Sequence, residues 1–183
     1  MSTPQASGLT VADLEAMPED MVIRNLVDGE LFVTPAPTTR HQRVVMRVIS
    51  ALLDHSATHG GEVLTAPCAV LLSERDVPEP DVLYLLPEHL DRIGVRYIEG
   101  TPDLVVEVSS PSTRRFDLLR KRRLYERFGV PEYWFVDLDA DRVEVYRLGG
   151  GRYGAPAVHE RADVAGSSVL EGFTAAIDDL LVG

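Results

Sequence analysis

A mixed α/β domain with antiparallel extensions is what the sequence predicts, and three stretches carry that expectation. Pro102 to Asp137 reads as strand, helix, strand: a short apolar run, a Ser-Pro-Ser-Thr break, about four turns of helical periodicity, then Gly129-Val130-Pro131 and a second apolar run. Asp28-Gly29, between two strand-like runs, is a strong hairpin signal. Arg142 to Leu148 alternates apolar and polar residues as a half-exposed strand does. A length of 183 residues suits one domain with its own core, with residues 1–9 as a loose tail and 10–183 as the domain.

Taken in order, Thr10 and Asp13 form a capping-box pattern before a short helix that Pro18 stops. Val22 to Val27 and Glu30 to Thr34 are the hairpin strands. Pro35 and Pro37 break the chain, and Thr38 or Thr39 can cap a helix from Arg40 to about His55. Its apolar stripe is Val44, Val45, Val48, Ile49 and Leu52, with His41 at its N-terminal end. Gly60-Gly61 turns into Glu62 to Ser73, which Pro67 makes a bent strand or two short ones. A loop ending at Pro80 leads to Asp81 and the strand behind it, and residues 87–101 read as a helical or irregular connection. After Arg142 to Leu148 come weaker strands around Ala157 and Val169 and a terminal helix near Thr174 to Val182.

The chemistry concentrates in the strand-helix-strand unit. Glu107 stands in an otherwise apolar strand, where an unpaired charge costs several kcal/mol. Alternation places Asp103, Val105, Glu107 and Ser109 on one face. On the following helix, capped by Ser112 or Thr113, Asp117, Lys121 and Tyr125 are spaced i, i+4, i+8 in an arc shared with Leu118, Leu124 and Phe128. That stripe can face Glu107. The opposite side carries Arg120, Arg122, Arg123, Glu126 and Arg127, together with Phe116 and Leu119. Lys121 is the only lysine among 18 basic residues, and a compact ammonium can titrate and point at one oxygen where a guanidinium cannot. Asp81, Glu107 and Lys121 together suit a hard-oxygen site for Mg²⁺ or Mn²⁺ with a charge to steady a phosphate. No Walker loop, nucleophile elbow, zinc spacing or dinucleotide fingerprint competes.

Composition sets the context. With 45% hydrophobic and 26% charged residues the chain is ordinary globular material. A single cysteine, Cys68, excludes an internal disulfide and suits a reducing compartment. The N-terminal MSTPQASG has no signal-peptide pattern and no run is long enough to span a membrane, so a soluble cytoplasmic protein is expected. The net charge of −11 repels phosphate overall, yet residues 112–128 hold seven basic and two acidic side chains. Arg114, Arg115, Arg120, Arg122, Arg123 and Arg127 are the expected nucleic-acid contacts.

Several collinear motifs resemble the Uma-two family, which is assigned to the PD-(D/E)xK nucleases and described as restriction endonuclease-like. They are VDGELFVTPAPTTRHQRV, Pro80-Asp81-Val82, PDLVVEVSSPST, the D-x3-K-x3-Y of Asp117, Lys121 and Tyr125, and GVPEYWFVD. The resemblance implies a restriction-endonuclease-like mixed sheet flanked by helices, with Asp81 and Glu107 as the metal-binding carboxylates. Ser109 stands where E-x-K would place its lysine, so the implied catalytic lysine is Lys121. Asn25 stands where the family usually has Glu; if that Glu helps to hold metal, Glu30 or His41 takes over here. His41, Asp117, Tyr125 and Glu30 are thus supporting residues. The expected activity is metal-dependent cleavage of DNA, with a homodimer compatible. The alternative is a catalytically silent nuclease-fold protein that binds nucleic acid or a protein partner.

Overall fold

The computed structural model describes residues 8–18, 20, 22–109 and 114–181; the Ser112 or Thr113 cap lies outside them, as does most of the predicted tail. Helix α1 (Val11–Glu15) begins as its capping box requires, with the Asp13 carboxylate accepting from Thr10 N and Oγ1 at 2.8 Å each. Strands β1 (Arg24–Val27) and β2 (Glu30–Val33) form the hairpin. Asp28 and Gly29 both have positive φ, 54° and 75°, the two left-handed residues that a tight hairpin turn demands. Helix α2 (Thr39–His59) is longer than predicted, and Thr38 is its cap, accepting from His41 N.

Strand β3 (Glu62–Thr65) and strand β4 (Ala69–Leu71) split around Pro67, which has no N–H to give to a ladder. Next come β5 (Val82–Leu85), a 3₁₀ turn at Pro87–Arg92, β6 (Tyr97–Glu99) and β7 (Leu104–Val108). Helix α3 (residues 114–127) is continuous, with a π-helical middle at Asp117–Lys121 in which Arg122 N donates to the carbonyl of Asp117, five residues back. Strands β8 (Glu132–Asp137), β9 (Arg142–Gly149), β10 (Arg152–Tyr153) and β11 (Ala157–Glu160) follow.

The end of the chain corrects the sequence reading. The strand expected near Val169 is β12 (Val164–Gly166), and it pairs with β13 (Thr174–Ala176), so only Ile177–Leu180 remains for the terminal helix α4. The β12–β13 ladder takes up the backbone of 174–176 and buries Ala165 and Ala175 together, a non-local gain that local helical periodicity does not show.

The main sheet runs β10-β9-β8-β7-β5-β3, with β11 also on β9. Only β7 and β8 are parallel within it, and α3 is the crossover that a parallel pair needs. One face packs on Val44, Val45, Val48 and Leu52 of α2, through Val82, Tyr84, Leu104, Val106 and Trp134. The other packs Leu83, Leu85, Val105, Tyr133 and Phe135 against Tyr125 of α3 and Val130. Both central strands are therefore covered twice, which is why they read as unbroken apolar runs. Phe116, assigned by periodicity to the solvated side, stacks instead on Phe32 of the hairpin, with ring centroids 4.4 Å apart. Among the described residues no helix is long and apolar enough to cross a membrane.

Leu52 is buried at the centre of the α2 face, whereas Met46 on the same helix is 61% exposed. Leu52→Ala is predicted to cost about 2–5 kcal/mol in urea unfolding, and Met46→Ala about 0.5 kcal/mol or less. Equal losses would contradict the placement of this core.

Candidate active site

Strand alternation turns Glu107 towards α3, and the π-helical turn brings Lys121 over it. Lys121 Nζ donates to Glu107 Oε1 at 2.9 Å and Oε2 at 3.0 Å, and Tyr125 OH donates to Oε1 at 2.7 Å. A further Lys121 bond goes to the main-chain carbonyl of Glu79 at 3.1 Å, and Asp117 Oδ1 lies 3.9 Å away. All four side chains are buried. Burial pushes the Glu107 carboxyl up to about 8; Lys121 opposes this, and the negative charges of Asp117 and Asp81 add to it. For Lys121, burial works against the charged form, but Glu107, Asp117 and Asp81 outweigh it and raise the ammonium above its ordinary range. Burial, then Glu107, keeps the Tyr125 phenol well above its usual range. Glu107 and Asp117 thus both lie within 4 Å of one ammonium, and Asp81 acts on it through its charge.

Sheet register supplies the next member. Val82 pairs with Val106 across the antiparallel β5–β7 ladder, so Asp81, one residue before β5, comes beside Glu107. Its Oδ2 accepts from Val108 N at 2.7 Å and from His41 Nε2 at 3.2 Å. His41 reaches it from the first turn of α2, and its buried Nδ1 has no hydrogen-bond partner among the described residues. Burial disfavours the imidazolium, but the bond and the charge of Asp81 win and raise the His41 pKa. His41, Asp81, Glu107, Asp117 and Lys121 all line one pocket.

Glu79 lines it too and was missed in the sequence, where it stands in Val-Pro-Glu-Pro-Asp two residues before Asp81. The signal was a carboxylate between two prolines. Its Oε2 is buried with no hydrogen-bond partner among the described residues, and burial raises its pKa. Two expected supporters stand elsewhere. Glu30 is exposed on β2 and pairs with Arg120 at 3.3 Å, and Tyr125 braces Glu107 from behind rather than lining the pocket. Asn25 is fully buried, with Nδ2 donating to Thr34 Oγ1. Among the described residues no three His, Cys, Asp or Glu side chains stand close enough together to hold a metal ion.

The arginines divide. Arg114 grips the buried Asp137 at 2.7 Å, Arg127 joins Asp28 at 2.6 Å and Asp76 at 2.8 Å, and Arg122 stacks on Tyr146. Among the described residues, Arg115 and Arg123 are exposed and have no ion pair.

The family model Uma2, described as "Putative restriction endonuclease", matches residues 11–178. The chain belongs to the Uma2 family. Among solved structures, a crystal structure titled as a putative nuclease belonging to DUF820 from Anabaena variabilis ATCC 29413 superposes with a TM-score of 0.80 at 17% identity. It covers 94% of this chain and 97% of its own, which establishes a shared fold. No curated protein matches the chain.

The electrostatics of this Uma2 pocket predict a pH dependence. Because the folded state raises the Glu107 pKa from 4.5 to about 8, the stability that this group contributes is full at low pH and lost as pH rises through about 8. Glu107→Gln cannot ionise. The variant is therefore predicted to gain stability relative to wild type as pH rises from 4.5 to about 8, read from urea midpoints. A pH-independent difference would show that Glu107 titrates normally.

Proposed function

We propose that this Uma2 protein is a phosphodiesterase that cleaves DNA with Mg²⁺ or Mn²⁺ as cofactor. The observation that supports it most is the convergence of Asp81, Glu107 and Lys121 from three separate elements into one pocket, with the ammonium 2.9 Å from Glu107. The donor chemistry is the kind a hard divalent ion takes: Asp81 and Glu107 offer carboxylate oxygens, carboxylates outnumber cations in the pocket, and a buried Glu79 oxygen has no hydrogen-bond partner among the described residues; further ligands would come from water, since no three such side chains there stand together. Asp81 and Glu107 would hold the ion. When bound, it supplies Lewis-acid charge to a phosphoryl oxygen and acidifies water.

The chain's own groups have separable tasks in this reading. Lys121 holds a fixed positive charge at Nζ where a phosphate gains negative charge. His41 orients Asp81 through Oδ2, leaving the other carboxylate oxygen free of that bond. Tyr125 and Asp117 keep Glu107 and Lys121 in place. Arg115 and Arg123 offer exposed charge to DNA phosphates, while Arg120 and Arg127 would exchange their carboxylate partners for them. Arg114 and Arg122 are committed to Asp137 and Tyr146.

One observation favours the second reading, a catalytically silent nuclease-fold protein that binds nucleic acid or a protein partner. Both Glu107 oxygens are already taken by Lys121 and Tyr125, as in a purely structural ion pair. Plasmid nicking separates the two. Wild type is predicted to nick DNA only with Mn²⁺ or Mg²⁺, Asp81→Asn to be inactive, and Lys121→Arg to lose about two orders of magnitude while melting as a folded protein. Full cleavage by Lys121→Arg would remove the catalytic role of Lys121.

A further inference from the structure

We propose that Asn25 is a positioning residue that sets Lys121 through the main chain of Glu79; this deepens the phosphodiesterase reading and rests on it. The segment is Val77-Pro78-Glu79-Pro80-Asp81. Neither proline has an N–H, so between Val77 and Asp81 the only main-chain donor is Glu79 N. That donor is taken by Asn25 Oδ1 at 2.8 Å. The carbonyl of the same residue accepts from Lys121 Nζ at 3.1 Å. One peptide unit further, past Pro80 with its fixed φ, stands Asp81. A shift of residue 79 therefore moves the third contact of the ammonium, whereas Asp81 is held separately, its carbonyl accepting from Ala66 N at 3.2 Å and Thr65 Oγ1 at 2.8 Å.

The side chain of Glu79 anchors little. Among the described residues its Oε1 takes only a long bond of 3.4 Å from Arg24 N, and its Oε2 takes none. β1 also holds the segment by paired main-chain bonds between Leu26 and Val77, of 3.0 and 2.8 Å, and Val70 N donates to the carbonyl of Pro78 at 2.9 Å. Those bonds fix the segment up to residue 78. Asn25 fixes the unit that touches the site. It can do so because it is fully buried and is oriented itself by its 3.1 Å bond to Thr34 Oγ1.

Because Lys121 is the only lysine in the chain, lysine labelled with ¹⁵N at Nζ gives one side-chain ammonium signal that reports on the site directly. In Asn25→Ala that signal is expected to shift and its protons to exchange at least about tenfold faster, as the buried ammonium loses a fixed acceptor. Mn²⁺-dependent nicking is expected to fall at least about tenfold in kcat, with KM for DNA within about twofold, the pattern of a misplaced group. Leu52→Ala, destabilised from the opposite face of the sheet, is the control and should leave the lysine signal in place. If Asn25→Ala does not fold, Asn25→Ser carries the same expectation. A wild-type lysine signal in the folded Asn25 variant overturns the proposal, and so does an equal change in Leu52→Ala. A wild type that cuts nothing overturns the phosphodiesterase reading, while the lysine signal still tests the Asn25 link by itself.

Discussion

The buried contact between Glu107 and Lys121 is the constraint on which the rest of this structure depends. Taking a carboxylate and an ammonium out of water costs several kcal/mol per ion, which is why the Glu107 carboxyl is pushed up, and their attraction offsets this only with good geometry and further hydrogen bonds. Here the further bonds come from Tyr125 OH and the Glu79 carbonyl. Four elements must arrive together for the pair to be tolerable: β7 with the carboxylate, α3 with the ammonium and phenol, the loop before β5, and the hairpin that holds that loop.

The fold meets that demand with ordinary devices. A parallel β7–β8 pair requires a crossover, and the crossover helix lands on the face where alternation points Glu107. The π-helical turn at Asp117–Lys121 buries both of its terminal residues against the sheet, and such turns recur at functional sites. Antiparallel register then carries Asp81 to the same end of the sheet. Glu107 and Lys121 stand on a strand and a helix, which gives that pair rigidity, while Asp81 and Glu79 come from the loop before β5.

Much of this was legible in the sequence because it follows from periodicity. A lone Glu in an apolar strand, a lone Lys on the apolar arc of a helix and an Asp at a strand start are local signals, and each pointed into the pocket. The Asp28-Gly29 turn was equally legible, since two left-handed residues have few alternatives. What escaped depends on contacts between distant segments. Glu79 looked like a loop residue because nothing local shows that β1 and Lys121 close around it. Asn25 looked like a missing carboxylate, whereas its amide ties the hairpin to that loop. The partners of the basic face of α3 were not legible either: Arg114, Arg120 and Arg127 pair with Asp137, Glu30, Asp28 and Asp76, which are remote in sequence. The β12–β13 ladder was missed for the same reason.

The central claim is that the carboxylates gathered around Lys121 are there to receive a divalent cation. Anomalous scattering from a crystal soaked in Mn²⁺ tests it most directly. The account predicts one strong peak about 2 Å from oxygens of both Asp81 and Glu107, with Lys121 Nζ moved off at least one Glu107 oxygen. A crystal with no peak in that pocket, and with the Lys121–Glu107–Tyr125 contacts unchanged, would contradict it.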